Sequence, residues 1–268
     1  MTLPRTLTAD HKIISPLHRR LLRIIAEAER EYGTVGLRLE GGTALAAYHL
    51  HHRESEDLDV FGDLALNARD FRRFLEAECT QGGLHVVAQG PASPGTAELF
   101  VSDQAATVPP DQRQTIKIQI CRNSPFTLEP PSPTSEGLPV ASYRDLCAGK
   151  LHAICDRFEA RDFLDLHFVL SRVGADASSA DESERRRRFR RVLADLEASD
   201  PGLNEVRVGQ ALARALGQPI VSAFPLRLVV RPTEEEVQET LRVALDECAR
   251  VATERARWDP GQQRETPG

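Results

Sequence analysis

Residues 40–61 read EGGTALAAYHLHHRESEDLDVF, and they put far more polar chemistry into one stretch than a helix–turn–strand connection needs. Thr43 to His51 has the make-up of a short helix. Asp57 to Phe61 alternates acidic and apolar residues with the period of a strand, so Asp57 and Asp59 project from one face while Leu58 and Val60 face the core. Two carboxylates side by side repel each other. A divalent cation resolves that conflict, and hard Mg²⁺ (or Mn²⁺) takes a carboxylate pair together with substrate phosphates. Ahead of the acids, the Gly41-Gly42-Thr43 turn lets backbone approach a ligand closely, and N–H groups at a helix start favour an anion. Alone, each motif is weak, because most glycine turns only reverse the chain and acidic pairs are common on exposed strands. Together they predict a nucleoside triphosphate bound with its metal. Arg53 and Ser55, between the two motifs, are further nucleotide-binding candidates. His49, His51 and His52 invite a zinc reading, but they are nearly consecutive and the sequence offers no matching ligand cluster. His52 and Arg53 are better read as positioning the turn or touching phosphate.

Working outward, Ser15-Pro16 predicts a helix start, with Ser15 as N-cap and Pro16 in the first turn. Leu17, Leu21, Ile24, Ile25 and Ala28 then make an apolar stripe, and Gly33 is placed to end it. Leu37 to Glu40 reads as a short strand. Asn67 caps a helix whose apolar face is Phe71, Phe74, Leu75 and Cys79, stopped by Gly82-Gly83. Further strands are expected at Leu84 to Ala88, Ala97 to Ser102 and Gln114 to Cys121. The pattern then changes. Residues 123–139, NSPFTLEPPSPTSEGLP, hold five prolines and read as a connector without regular structure. Ser142 to Asp145 has the form of a capping box, and helices are expected at about 142–156, 160–172, 181–198, 204–216 and 233–257. The last opens on Thr233-Glu234-Glu235-Glu236, a second capping box, and its buried face is Val237, Leu241, Leu245, Cys248 and Val251. The fold class expected is α+β: a small mixed α/β half followed by an all-helical half. The division expected is an N-terminal helix over 1–33, an α/β domain over 34–125, a proline-rich connector over 126–141, a helical domain over 142–257 and a loose tail over 258–268.

The helical half holds a second constellation in DLCAGKLHAICDRFEARDFLDLHFVL, residues 145–170. Lys150, Arg157, Arg161, Asp162 and Asp165 sit among apolar residues, and Asp162 and Asp165 share a helix side. One reading is an internal ion-pair network joining two helices. In the other, Lys150 meets a triphosphate oxygen and Asp165 accepts a proton from an attacking hydroxyl. The two coexist if Arg161 holds the carboxylates in place.

The pairing of GGTALAAYHLHHRESEDLDVF with KLHAICDRFEARDFLDL resembles the AbiEii/AbiGii toxin family of nucleotidyltransferases over about residues 36–172. The resemblance implies a polymerase-β-like fold, with the glycine turn and acidic pair on a small mixed sheet and the lysine and second acidic motif in a helical domain. It implies transfer of NMP from NTP to an acceptor, as several members do to the 3′ end of tRNA, by the toxin of a toxin–antitoxin or phage-defence pair with a cognate antitoxin. Gly42 and Thr43 match the phosphate turn, Asp57 and Asp59 the metal pair, and Lys150 the motif lysine. Arg161-Asp162 and Asp165 match the closing R-D-x-x-D element. Polymerase-β-type enzymes usually carry a third carboxylate on a later strand, whereas Thr115 to Ile120 offers Gln119, which can neither act as a base nor balance a metal charge. Glu98 is the substitute if the neighbouring strand places it there.

Composition sets the remaining limits. A formal charge of -6 excludes binding nucleic acid through an overall positive field, so any such binding needs a local patch. The candidate is ERRRRFRR, residues 184–191. Its Arg185, Arg186, Arg187, Arg188, Arg190 and Arg191 read either as a solvated helix face or as a strip of forked donors for the phosphates of a tRNA. Five cysteines without a C-x-x-C point to reduced thiols and a cytoplasmic setting. The N-terminus has no apolar stretch before a cleavage site, and no run approaches the roughly 20 apolar residues of a membrane span. Two other functions stay open at this point. One is a nucleotidyltransferase acting on a small molecule such as an antibiotic. The other is a nucleotide- or RNA-binding protein that has lost turnover.

Overall fold

A computed structural model describes residues 6–33, 35–105, 107–109, 112–122, 127–173, 178–223 and 227–257. They form two compact units. The first takes the described residues through Leu146 together with residues 227–230, and the second takes the rest. The tail expected over 258–268 lies outside the described residues.

The first unit is built on a five-stranded sheet of β1 (Arg38–Glu40), β2 (Asp57–Gly62), β3 (His85–Ala92), β4 (Thr96–Ser102) and β5 (Ile116–Arg122), in the order β1-β2-β5-β4-β3. Only β2 and β5 run parallel, and every other pair is antiparallel. The sheet is therefore mixed, as the fold class required. Strand alternation makes one face apolar: Leu58, Val60, Ile118, Ile120, Ala97 and Leu99 are wholly buried. Helix α3 (Ala68–Gln81) lies on β3, β4 and β5 through this face, and α1 (Pro16–Tyr32) packs on α3. The opposite face carries the charges. That division puts the acidic pair on the face opposite the buried Leu58 and Val60.

Local signals placed most of these elements. Ser15 caps α1 in a reciprocal box with His18, and Asn67 caps α3 by accepting from the Asp70 N–H. The helix expected over 43–51 begins earlier and changes type. It is α-helical over Gly41–Leu45 (α2), then makes a π turn over Ala46–Leu50 closed by the His51 N–H on the Ala46 carbonyl at 2.8 Å. His51 ends it in the left-handed region at φ 52. The proline-rich connector departs further from expectation. Leu39 N–H donates to the Pro139 carbonyl at 2.8 Å, and Ala141 N–H donates back to Leu39 at 3.0 Å, so the connector lines the outer edge of β1. Proline lacks the N–H that a regular ladder needs, and that is why these contacts remain isolated bridges at Ser132, Thr134 and Val140. Residues 227–230 also join this unit, through the Glu54 N–H on the Arg227 carbonyl and the Val229 N–H on His52.

His18 gives this unit a pH dependence. Its ring is 4% exposed. Nδ1 accepts from the Ser15 N–H and Nε2 donates to the Glu56 carbonyl, each at 3.3 Å, which requires the neutral ring. Burial pushes its pKa down to about 4, outweighing the opposite pull of the Glu56 carbonyl and the Asp57 charge. The unfolded chain therefore binds the extra proton, so stability falls as pH drops through 6.5 and levels off below about 4. The full loss is about 3 kcal/mol at 1.36 kcal/mol per pKa unit. His18→Gln should flatten this part of a denaturant-melt pH profile. Equal slopes in both proteins would contradict the assignment.

The second unit is helical. Helix α4 (Tyr143–Asp156) begins in the first unit and continues into this one. It is followed by α5 (Ala160–Ser171), a two-strand ribbon of β6 (Arg172–Val173) and β7 (Ser178–Ser179), α6 (Glu182–Ser199), α7 (Glu205–Ala215) and α8 (Glu234–Arg257). The ribbon was not foreseen. Helix α8 packs against α5, α6 and α7 through Val237, Leu241, Ala244 and Cys248, all buried. Thr233 and Glu236 make the expected capping box, with the Glu236 N–H on Thr233 Oγ1 at 3.1 Å and the Thr233 N–H on Glu236 Oε2 at 2.7 Å. Among the described residues no helix is long and apolar enough to cross a membrane.

Candidate active site

The register of the first unit sets a line of side chains across the charged face. Glu40 on β1 stands opposite Asp59, Asp59 beside Gln119 on β5, and Gln119 opposite Glu98 on β4. A second line runs Asp57, Lys117, Phe100. Asp57 and Asp59 thus share the face that their spacing required. Asp57 is not an unpaired charge, however: Lys117 Nζ lies 3.5 Å from its Oδ2.

The glycine turn is fitted to the acids. Gly41 has φ +71, a conformation that side chains rarely adopt, and a Cβ there would overlap the Asp59 carboxylate, with Cγ only 2.7 Å away. A Cβ on Gly42 would run into the Arg53 guanidinium. Arg53 is itself buried and donates from Nη1 to the Glu54 carbonyl at 3.1 Å. Thr43 is buried too, and its hydroxyl donates to the Asp57 carbonyl and lies 2.6 Å from Ser55 Oγ. The side chains of Thr43 and Ser55 thus tie the start of α2 to the start of β2. Gly41 and Gly42 open α2, whose N-cap residue Glu40 makes no side-chain capping hydrogen bond.

Two neighbours of the pair were missed in the sequence. Glu40 pairs with Arg38 at 2.7 Å, and burial pushes its carboxyl pKa up, with the Asp59 charge adding to the rise. Lys117 is the other. Gln119 occupies the place on β5 beside Asp59, and Glu98 stands one strand farther, about 10 Å from Asp59 at the usual strand spacing. The thiol of Cys121 is pushed up first by burial and then by the charges of Asp59, Glu40 and Glu98. The three carboxylates therefore act on one neighbourhood of the sheet. Among the described residues no three His, Cys, Asp or Glu side chains come close enough to hold a metal by themselves. The histidine run is dispersed. His49 stacks near Tyr143 at 5.5 Å, and His51 Nδ1 lies 3.6 Å from Asp10.

In the second unit, Lys150 sits between two wholly buried carboxylates, 3.0 Å from Asp162 Oδ1 and 2.8 Å from Asp165 Oδ2. Arg157 completes the cluster with Nε 3.0 Å from Asp162 Oδ2. The partner expected for this role was Arg161, but Arg161 pairs with Glu159 at 2.5 Å.

The arginine strip is also different from a free basic face. At 3.6 residues per turn the six arginines of α6 point around the helix, and Phe189 among them is wholly buried. Arg186 pairs with Glu182 at 2.6 Å and Glu247 at 3.3 Å. Arg187 and Arg188 pair with Glu184 at 2.7 and 2.8 Å. Arg190 pairs with Glu247 and with Glu254 at 2.7 Å. Glu247 is 1% exposed, so Arg186 and Arg190 balance a buried charge. Arg185 and Arg191 enter no ion pair among the described residues.

The profile of the family described as nucleotidyl transferase AbiEii toxin, type IV toxin–antitoxin system, matches residues 23–257. No curated protein matches. Among solved structures, MenT4, a nucleotidyltransferase toxin of Mycobacterium tuberculosis, is similar with a TM-score of 0.54 at 20% identity, covering 93% of this chain and 88% of that one. At that identity the likeness is one of fold. A nucleotidyltransferase candidate of Helicobacter pylori aligns with a TM-score of 0.48 at 18% identity, covering 92% of this chain and 99% of that one.

Proposed function

Because the chain belongs to the AbiEii family of nucleotidyl transferase toxins, we propose that it moves NMP from an NTP to the 3′ end of tRNA, with release of pyrophosphate. The family makes it a nucleotidyltransferase and a toxin, which implies an NTP substrate and a cognate antitoxin. The tRNA acceptor, the metal and the residue roles are the proposal. The observation that carries it is the placing of Asp57 and Asp59 on one sheet face, with the glycine turn closed down on Asp59.

Mg²⁺ or Mn²⁺ fits this donor set: two hard carboxylates on one face, with triphosphate oxygens and water to fill the remaining positions. Bound there, such an ion neutralises phosphate charge as it develops in transfer. The chain's own residues do the rest. Backbone N–H groups of Gly41, Gly42 and Thr43 bind phosphate oxygens, while Arg53 and Ser55 hold the turn in shape. Lys150 has a third N–H beyond those given to Asp162 and Asp165, and it donates to a phosphate oxygen. Asp165 is assigned the proton of the attacking hydroxyl, a role that requires it to be uncovered from its burial beside Lys150, while Asp162 and Arg157 hold the lysine. Arg161 is assigned to the nucleotide, and Arg185 and Arg191 to the acceptor backbone. The five cysteines are free, in keeping with a cytoplasmic setting.

Removing the metal tests this reading. With EDTA in place of Mg²⁺, label from NTP should no longer reach tRNA, and adding Mg²⁺ or Mn²⁺ should restore it. Transfer that survives chelation overturns the metal assignment. Label found on a small molecule and never on tRNA overturns the acceptor.

A further inference from the structure

A transferase with two substrates needs two compartments, and the glycine turn accounts for one. The first unit contains a cavity of about 750 Å³ that none of Gly41, Gly42, Thr43, Asp57 or Asp59 lines. That volume lies within the range of sites for nucleotide-sized ligands. Its wall includes Ser55 and Glu56, the two residues before Asp57, and Phe100, which closes the Asp57–Lys117–Phe100 row two strands away. At about 4.8 Å per strand, Phe100 stands about 10 Å from Asp57 on the same face.

The lining describes its occupant. Phe100 is a half-buried aromatic ring, the kind of surface on which a base stacks. Lys12, Arg113 and Arg227 supply positive charge. Arg113 Nε is buried without a hydrogen-bond partner among the described residues, and its Nη1 reaches only the carbonyls of Ala105 and Val108, at 3.5 and 3.4 Å. A guanidinium so weakly satisfied suits a phosphate. Glu56 can accept from ribose hydroxyls. An apolar flat group, an anion and hydroxyls together make a nucleotide.

We propose that this cavity holds the 3′-terminal nucleotide of the acceptor RNA, with its base on Phe100 and its phosphates met by Lys12, Arg113 and Arg227. The assignment rests on the RNA-transfer reading above and names where that acceptor sits. It also frees the acceptor from dependence on the arginine strip, most of which is engaged with glutamates.

The test is fluorescence anisotropy with a short labelled single-stranded RNA, run beside separate titration of NTP with Mg²⁺. Phe100→Ala should raise the Kd for RNA about tenfold, which is about 1.4 kcal/mol. It should leave NTP affinity within about twofold of wild type. Because Phe100 lies in a strand, the paired change Lys12→Glu with Arg227→Glu, at exposed positions, repeats the test without touching the core. In turnover, both variants should raise KM for RNA and spare KM for NTP. RNA affinity unmoved in both variants overturns the cavity assignment and leaves transfer to RNA standing. A wild-type protein that binds NTP but no RNA overturns the cavity assignment together with the RNA acceptor.

Discussion

Asp59→Asn should abolish nucleotidyl transfer, with a fall of about 10³-fold or more. A carboxylate that holds a catalytic metal supports several kcal/mol of charge stabilisation, and each 1.36 kcal/mol is tenfold in rate. Asparagine keeps the shape that fits beneath Gly41 and removes only the charge. Neither neighbour in the row replaces it: Gln119 is neutral, and Glu40 is engaged with Arg38. The same change should not weaken the fold. Asp59 faces Glu40 directly across β1 and β2, and like charges so placed are destabilising by a few tenths of a kcal/mol to about 1 kcal/mol. The variant should therefore stay folded, with a melting temperature close to that of the wild type. Transfer within tenfold of wild type would remove Asp59 from the chemistry.

Lys150→Met should cost stability as well as activity. It removes the ammonium between Asp162 and Asp165, both of which have no exposed surface. Breaking a buried ion pair from one side costs about 3–5 kcal/mol, because the charge that remains cannot return to water. For a protein of this size that is a fall in Tm of about 10 °C. Lys150→Arg keeps a charge, so it should recover most of the stability while the altered donor geometry still impairs transfer. A full recovery of transfer in Lys150→Arg would reduce Lys150 to a structural role, and an unchanged Tm in Lys150→Met would remove the buried-charge account.

Local chemistry was legible from the start. Ser15-Pro16, Asn67 and Thr233 through Glu236 set helix ends that the structure keeps, because a cap depends on residues within one turn. Acid–apolar alternation from Asp57 to Val60 fixed which side chains share a face, because a strand has a period of two. What escaped depended on partners far along the chain. No local pattern says that Glu40 and Gln119 flank Asp59, or that Lys117 reaches Asp57, since register is decided by pairing across 19 to 60 residues. Arg186 and Arg190 read as part of a strip because Glu247 and Glu254 lie 57 to 64 residues away, whereas the Glu184 that holds Arg187 and Arg188 stands within one helical turn and was in view. Arg161 is the immediate neighbour of Asp162 in sequence and Arg157 is five residues away, yet Arg157 is the one that reaches the carboxylate while Arg161 pairs with Glu159. The prolines of the connector suggested irregularity, which holds for its backbone but not for its attachment to β1.

The most direct measurement is incubation of the purified protein with tRNA, Mg²⁺ and each α-labelled NTP in turn, followed by a denaturing gel. Label that migrates with tRNA for at least one nucleotide, and that vanishes in Asp59→Asn, is the expected result. An absence of label on tRNA with every nucleotide, from protein that still binds NTP, would contradict it.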